Sequence, residues 1–246
     1  MRAFLTAIGF LTILPAGRLA PRPGDFGRAA VFFPVLGLLV GAVLAAVQWC
    51  GLSLWDSYIA AALMLGVGLV ITGGLHIDGL MDTADALFSR KSPERMLEIM
   101  RDSRSGALGV AAGICVMALK FAAYGYLEGP DDWRIVALSP VAGRTAIVAA
   151  LALFPYAREA GAGAVFAAET KPRHAFGALV LATVVSAALL GWPGLIVVAS
   201  GLALAMLASV YLRSCLGGLT GDVYGAINEA VEVVALLGGA LLAPLG

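Results

Sequence analysis

Apolar stretches of about 20 residues recur along the whole chain, and short polar segments separate them. A helix of that length spans the hydrocarbon core of a bilayer, which is about 30 Å thick. Only 13% of the 246 residues are charged, about half the fraction found in soluble domains. The sequence lacks the strand-length alternation of outer-membrane barrels. It therefore predicts an all-α, polytopic helical integral membrane protein, with one membrane-embedded domain over residues 1–246.

Seven segments have the length and composition of membrane spans. They are residues 29–50, 54–75, 106–127, 135–154, 175–191, 194–212 and 229–245. The apolar run 1–14 is too short to cross, so we expect an interfacial helix ended by Pro15. The prediction is about seven transmembrane helices plus this N-terminal interfacial helix.

Basic residues are distributed unequally between the two sides that these spans define. Thirteen of the sixteen Lys and Arg residues, Arg18 among them, precede the first span or lie in connections on that same side. The positive-inside rule makes this side cytoplasmic. The polar segment 76–85 and Asp222 lie there as well, so we expect the chemistry at the cytoplasmic face.

Three aspartates follow the second predicted span at helical spacing. Asp78, Asp82 and Asp85 stand at i, i+4 and i+7, so on a helix their carboxylates share one narrow face. Adjacent anions repel one another unless a cation or protons intervene. Oxygen ligands without cysteine favour a hard divalent ion, and Mg²⁺ usually binds one or two carboxylates plus substrate phosphates. The segment therefore indicates phosphate chemistry, with nearby His76 either joining it as donor, base or ligand or serving as an interfacial polar residue.

A second polar group stands just before the third predicted span. Arg101 and Arg104 flank Asp102, and Gly106 opens the span. Guanidinium groups suit phosphate, and a glycine-led helix start can present backbone N–H groups to an anion. Equally, these arginines can simply mark the cytoplasmic border of the membrane.

Charged residues are also expected inside spans or at their starts. Arg144 lies within the fourth span, where an unpaired cation costs about 3 kcal/mol or more, so contact with substrate or a carboxylate is favoured. Lys120 in the third span also needs a partner. Asp222, Glu229 and Glu232 are spaced to share one helical face. These acids either meet Arg144 and the loop arginines or help to hold cations or polar substrate groups.

Four segments together resemble the cobalamin synthase family, the adenosylcobinamide-GDP ribazoletransferases of the bacterial cobalamin pathway. They are residues 10–15 (FLTILP), 73–85 (GGLHIDGLMDTAD), 98–106 (EIMRDSRSG) and 219–229 (LTGDVYGAINE). The second and third in tandem are highly specific, whereas any one alone would be weak. The resemblance extends over essentially the whole chain.

The resemblance implies a Mg²⁺-dependent enzyme of the bacterial cytoplasmic (inner) membrane, with its active site facing the cytoplasm. The substrates would be adenosylcobinamide-GDP and α-ribazole or its 5′-phosphate. The products would be GMP and adenosylcobalamin or its 5′-phosphate. The lipid bilayer is a further expected partner, a second copy of the chain or other corrinoid-pathway enzymes are compatible with the family, and nucleic acid is not expected.

Residue roles follow as hypotheses from the resemblance and from the chemistry of phosphoryl transfer. Asp78, Asp82 and Asp85 would hold Mg²⁺ on the diphosphate. The catalytic residues would be His76, Asp82 and Asp222, with His76 or Asp222 accepting the proton of the attacking hydroxyl. The substrate-binding residues would be Arg101, Asp102, Arg104, Arg144, Arg158, Asn228 and Glu229.

Two other classes of membrane protein also concentrate acids at a membrane. CDP-alcohol phosphotransferases carry the pattern D-x-x-D-G-x-x-A-R, but here Leu75 stands at the first aspartate and Asp82-Thr83 replaces Ala-Arg. A cation transporter would place charges near the midplane of several spans and would not need the arginines of residues 101–106. Both remain alternatives to the transferase.

Overall fold

The chain folds into a bundle of helices, seen in a computed structural model that describes residues 1–15, 21–158 and 160–242. Arg18, expected among the cytoplasmic basic residues, and the last residues of the predicted span 229–245 lie outside the described residues. The described helices are Arg2–Leu11 (α1), Asp25–Val31 (α2), Phe33–Leu54 (α3), Ser57–Thr72 (α4), Leu75–Phe88 (α5), Pro93–Ile99 (α6), Ala107–Tyr126 (α7), Trp133–Leu153 (α8), Ala162–Glu169 (α9), Pro172–Leu216 (α10) and Gly221–Leu242 (α11).

The membrane class predicted from the sequence is confirmed. Five helices are long and apolar enough to cross a bilayer, namely α3, α7, α8, α10 and α11. A sixth span results if α4 and α5, which meet at an angle of 89°, are taken as one broken span. The expected number of seven stays a prediction, and it depends on how α10 is counted.

Helix α10 consists of two helices joined by a sharp break. Its 45 residues would extend about 68 Å if straight, roughly twice the bilayer core. Gly191 interrupts it with φ 62° and ψ −138°, and a Cβ on Gly194 would overlap the carbonyl oxygen of Ser186. In a straight helix these two residues would be about 12 Å apart, so the chain doubles back. The two halves coincide closely with the predicted spans 175–191 and 194–212.

Two predicted boundaries are wrong. The first long span begins at Phe33 rather than residue 29, because the short helix α2 precedes it. The last begins at Gly221 rather than residue 229, because the polar residues that follow Gly221 are largely buried against other helices instead of lying in a connection. The expectation that residues 76–85 are helical is confirmed by α5.

The core is built around α8, whose apolar stretch is 89% buried. It packs against α3, α10 and α11. Where α3 crosses it, a Cβ on Gly37 would stand 2.5 Å from the carbonyl oxygen of Pro140, and one on Gly41 would overlap that of Ala137. Close approach of backbones over small residues is typical of helices that associate within membranes.

The connections between helices cluster at two opposite ends of the bundle. At one end, which we call the Gly73 end, the backbone N–H of Ile13 donates to Ile71 at 2.9 Å and that of Ala157 donates to Leu219 at 2.8 Å. At the other end, residues 128–134 lie beside the α10 break and the end of α3. The α4–α5 turn, the loop 100–106, the end of α8 and the start of α11 therefore share the Gly73 end.

Helix α5 turns away from α4 because two consecutive glycines adopt left-handed backbone angles. Gly73 has φ 61° and Gly74 has φ 70°, a conformation that other residues rarely adopt. The helix then lies between α7 and α11. At its crossing with α11, a Cβ on Gly79 would stand 2.7 Å from the Asp222 carbonyl oxygen, and one on Gly225 would stand 2.9 Å from that of His76. The backbones of the two acidic segments therefore touch.

This contact generates a stability prediction. Gly79→Ala places a methyl group against backbone atoms that cannot rotate away, so we expect the free energy of unfolding in detergent to fall by about 1–3 kcal/mol. Gly66→Ala in α4 is the matched control, because nothing lies within 4 Å of its Cβ position. It should leave stability unchanged or raise it by up to about 1 kcal/mol. Equal stability of the two variants would contradict the proposed crossing.

Candidate active site

The acidic face of α5 is the most strongly charged feature of the Gly73 end. Asp78 is exposed, while Asp82 and Asp85 are partly buried. The negative charges of Asp78, Asp222 and Asp85 all act on Asp82, and Arg158 offsets them only in part. The structure thus brings the three predicted aspartates and Asp222 together, with an excess of negative charge that favours a bound cation.

Asp85 differs from the other two aspartates because both of its oxygens already have partners. They accept hydrogen bonds from the backbone N–H of Gly106 at 2.6 Å and of Gly109 at 2.7 Å. The carboxylate therefore caps the first turn of α7, where it also interacts favourably with the helix dipole. Asp85 of the chain itself therefore occupies two of the N–H groups at this glycine-led helix start, and anion binding by the others stays a prediction.

Asp222 is paired with Arg158, which comes from a different part of the chain. Tyr156 and Leu219 form a short parallel bridge, so the end of α8 runs beside the residues that precede α11. The Arg158 guanidinium then reaches Asp222 Oδ2 at 2.7 Å, and the Thr220 hydroxyl donates to the same oxygen at 3.3 Å. The arrangement fixes the position of the Asp222 side chain at the rim of the site.

Within the bundle, the predicted charges of three spans satisfy one another. Lys120 donates to Glu229 and to Glu232, each at 2.6 Å. Arg144 pairs with Glu232, which also accepts from the Asn228 amide at 2.9 Å. The expectations that Arg144 contacts a carboxylate and that Lys120 has a partner agree with this network. Substrate contacts for Arg144, Asn228 and Glu229 stay predictions, because the partners observed here are other side chains of the network.

His76 connects this network to the acidic helix. It is 3% exposed, and its Nδ1 lies 3.5 Å from a terminal nitrogen of Arg144. Its Nε2 is buried without a hydrogen-bond partner. Because a guanidinium can only donate, a hydrogen bond across this 3.5 Å contact requires Nδ1 as acceptor and the ring proton on Nε2.

The loop arginines lie on the outside of the same end. Arg104 pairs with Asp102 at 2.7 Å, and its side chain is 86% exposed. Hydrogen bonds from Arg104 hold the pKa of the Asp102 carboxyl at about 2, well below its usual value, so the pair is ionised at any physiological pH. The positive charge of Arg101, which is also exposed, acts on Tyr156. Phosphate binding by these loop residues stays a prediction.

A cavity opens between α5, the end of α8 and the start of α11. It has a volume of about 230 Å³, and its polar wall contains His76, Asp78, Arg158 and Asp222. Tyr156 and Tyr224 also line it, stacked with their ring centroids 6.2 Å apart, and burial raises the pKa of the Tyr156 phenol. The remaining wall is apolar and includes Phe10, Leu11, Ile147, Leu151 and Phe166. Sequence reasoning did not find this aromatic wall, because its members are far apart in the chain and follow no motif.

The donor set at this end fits a metal ion that binds together with a phosphate. In the parts of the chain that the structure describes, no three His, Cys, Asp or Glu side chains form a ready-made metal site. Asp78 and Asp82 lie one helical turn apart, and within the described chain their carboxylates have no hydrogen-bond or ion-pair partner, so both are free to coordinate. Mg²⁺ usually takes one or two carboxylates and completes its shell with water and substrate phosphates. Coordination by all three aspartates stays a prediction.

Comparisons with known proteins agree on one family. A family model described as cobalamin-5-phosphate synthase matches residues 3–240. A Roseiflexus protein named adenosylcobinamide-GDP ribazoletransferase is 41% identical over 97% of this chain and 89% of its own length. Relatives of the same name from Pseudomonas entomophila and Brevibacillus brevis are 39% and 35% identical, over 98% and 96% of this chain and 100% and 97% of their own lengths.

These matches cover the chain almost from end to end. They favour a ribazoletransferase over the CDP-alcohol phosphotransferase and the cation transporter. No solved structure matches the chain. The chain belongs to the cobalamin-5-phosphate synthase family.

Proposed function

We propose that this protein transfers the adenosylcobinamide phosphate group from adenosylcobinamide-GDP to α-ribazole or its 5′-phosphate and releases GMP. Membership of the family makes it a transferase of cobalamin synthesis. The observation that supports this reaction is that Asp78 lines one cavity together with the Arg158–Asp222 pair, and that Asp82 lies close to all three. Carboxylates free to bind a cation, an arginine and an adjoining cavity are what phosphoryl transfer to a nucleoside requires.

The reaction exchanges the phosphoanhydride bond of the diphosphate for a phosphate ester bond. A ribose hydroxyl oxygen attacks the phosphorus that carries the cobinamide, and the bond from that phosphorus to the bridging oxygen breaks. The bridging oxygen leaves with GMP, while the hydroxyl proton passes to a base of the protein. Negative charge develops on the non-bridging and leaving oxygens, so the site must stabilise anions.

Asp78 and Asp82 would hold Mg²⁺ against the diphosphate. When bound, the ion would neutralise charge on the phosphate oxygens and orient them for displacement. Asp85 has a different task in this proposal, because its oxygens hold the N-terminus of α7. It fixes the position of α7 relative to the acidic helix.

Asp222 is the better placed of the two candidate bases. Its described hydrogen bonds, from Arg158 and Thr220, both reach Oδ2, which leaves Oδ1 available to the ribose hydroxyl. His76 accepts from Arg144 through Nδ1, so its other nitrogen carries a proton and acts as a donor to substrate. Asp222 therefore removes the proton, and His76 stabilises a developing negative charge.

The site would face the cytoplasm of a bacterial inner membrane. Arg101, Arg104 and Arg158 lie at the Gly73 end, and among the described residues Arg134 is the basic side chain of the opposite end. This distribution supports the orientation through the positive-inside rule. Self-association, or association with other enzymes that handle corrinoids, remains part of the proposal.

The direct test of function is GMP release by the purified protein in reconstituted membranes. Adenosylcobinamide-GDP and α-ribazole together should yield GMP and adenosylcobalamin in equal amounts, and chelation of Mg²⁺ should abolish the reaction reversibly. Omission of α-ribazole is the control for simple hydrolysis. Absence of GMP with both substrates and Mg²⁺ present would refute the proposal.

The two kinds of aspartate should give opposite results when each is changed to asparagine. Asp82→Asn removes a metal-binding charge, so we expect turnover to fall at least about 100-fold with little loss of stability. Asp85→Asn removes one of the two acceptor oxygens that cap the start of α7. It should lower the free energy of unfolding by about 1–2 kcal/mol, while the Mg²⁺ concentration for half-maximal activity stays unchanged. Asp131→Asn, an exposed aspartate at the opposite end paired with Arg134, is the control for both. A normal Mg²⁺ dependence in Asp82→Asn would exclude it as a ligand.

The assignment of the base predicts a difference between Asp222 and His76. Asp222→Asn should lower kcat by about 100-fold or more, because the amide cannot accept the proton. His76→Gln retains a donor and should lose less activity than His76→Ala. The reverse order, with His76→Gln as inactive as His76→Ala and Asp222→Asn nearly normal, would make His76 the base.

A further inference from the structure

Three buried polar atoms without hydrogen-bond partners belong to residues that line one cavity. They are His76 Nε2, Tyr224 Oη and Arg158 Nε. Buried polar groups are nearly always paired, and each unpaired one costs about 1–3 kcal/mol. All three residues border the same cavity, so a ligand bound there would meet side chains whose polar atoms the described protein leaves unpaired.

The remainder of that wall is apolar and aromatic. Phe166 is fully buried and Leu151 is 3% exposed, and the stacked pair of Tyr156 and Tyr224 adds two ring faces. A flat apolar group fits such a surface through ring stacking and burial of area. The cavity volume of about 230 Å³ lies slightly below the range of about 300–1,000 Å³ that is usual for small-ligand sites, so the cavity suits the smaller of the two substrates. The cavity is therefore divided into an apolar part and a polar rim.

We propose that this cavity is the binding site of the acceptor nucleoside, with its aromatic base against Phe10 and Tyr156 and its ribose at the rim beside Asp222. The proposal rests on the proposed function and identifies which substrate occupies which part of the site. α-Ribazole is a ribose joined to a methylated, flat and largely apolar base, so its two halves correspond to the two parts of the cavity. The hydroxyls of its ribose would pair with the polar atoms of His76, Tyr224 and Arg158.

Adenosylcobinamide-GDP, the other substrate, does not match this cavity in polarity or in size. Guanine carries several hydrogen-bonding groups that the apolar wall would leave unpaired, and a corrin macrocycle is far bulkier than a nucleoside. In the proposed function, Asp78 and Asp82 would hold the diphosphate through Mg²⁺. The diphosphate therefore belongs at the mouth of the cavity, on the exposed side of α5, and the interior is left to the nucleoside.

The test compares two substitutions in the same helix. Leu151→Trp fills the apolar part of the cavity, whereas Leu153→Trp adds the same side chain at a position that is 57% exposed. Leu151→Trp should raise the KM for α-ribazole at least about 10-fold and leave the KM for adenosylcobinamide-GDP unchanged. Leu153→Trp should change neither value.

Tyr224→Phe is the second variant, chosen because it needs no added volume. Its hydroxyl has no partner within the described chain, so its removal should not lower the melting temperature, yet it should raise the KM for α-ribazole about 10-fold. Tyr58→Phe, at an exposed position of α4, is its control. The proposal is overturned if either variant raises the KM for adenosylcobinamide-GDP. It is also overturned if Leu151→Trp and Tyr224→Phe both fold and keep a normal KM for α-ribazole.

Failure of the subsite and failure of the function are separable. If the wild-type protein releases GMP and both cavity variants bind α-ribazole normally, the proposed function stands and the proposed subsite is refuted. Equilibrium dialysis of α-ribazole against the wild-type and Tyr224→Phe proteins tests the cavity without turnover. Weaker binding by the variant supports the subsite even if wild-type protein releases no GMP, and equal binding refutes it.

Discussion

Four charged side chains meet inside the bundle, and the geometry of the active site depends on their pairing. Lys120, Arg144, Glu229 and Glu232 balance one another in charge, and each is at most 6% exposed. A single ion at this depth in a membrane is costly, whereas paired ions with satisfied hydrogen bonds are tolerated. Rotation of α7, α8 or α11 by a fraction of a turn would separate them. We infer that the network fixes the rotational setting of these three helices.

The acidic helix is positioned by contacts on both sides of its carboxylates. His76 joins α5 to the charged network through Arg144, and Gly79 lets α5 approach α11 closely. On the other side Asp85 holds the start of α7. Asp78 and Asp82 are thereby presented from a helix that is held at both ends. Such support from neighbouring groups is what a metal- or phosphate-binding constellation needs in order to keep its geometry.

Features governed by local pattern were predicted well from the sequence. Apolar length gave the membrane class, and the spacing of Asp78, Asp82 and Asp85 gave their common face. Pairings across the chain were not predicted, because 64 residues separate Arg158 from Asp222 and 21 separate Asp85 from Gly106. The start of α11 was placed too late for a related reason. Asn228 and Glu229 are polar, which suggested a connection outside the membrane. They are buried because the charged network that includes Lys120 and Arg144 surrounds them.

The 89° bend after Gly73 and Gly74 also determines how deep the site lies. Helix α4 has 16 residues and rises about 24 Å, less than the roughly 30 Å of a typical hydrocarbon core. Helix α4, beside the site, is therefore about 6 Å shorter than the hydrocarbon core is thick. Either the bilayer thins locally or the polar face of α5 lies below the level of the lipid headgroups. In both cases the reacting groups occupy a recess in the membrane surface, whose depth changes with the thickness of the surrounding lipid.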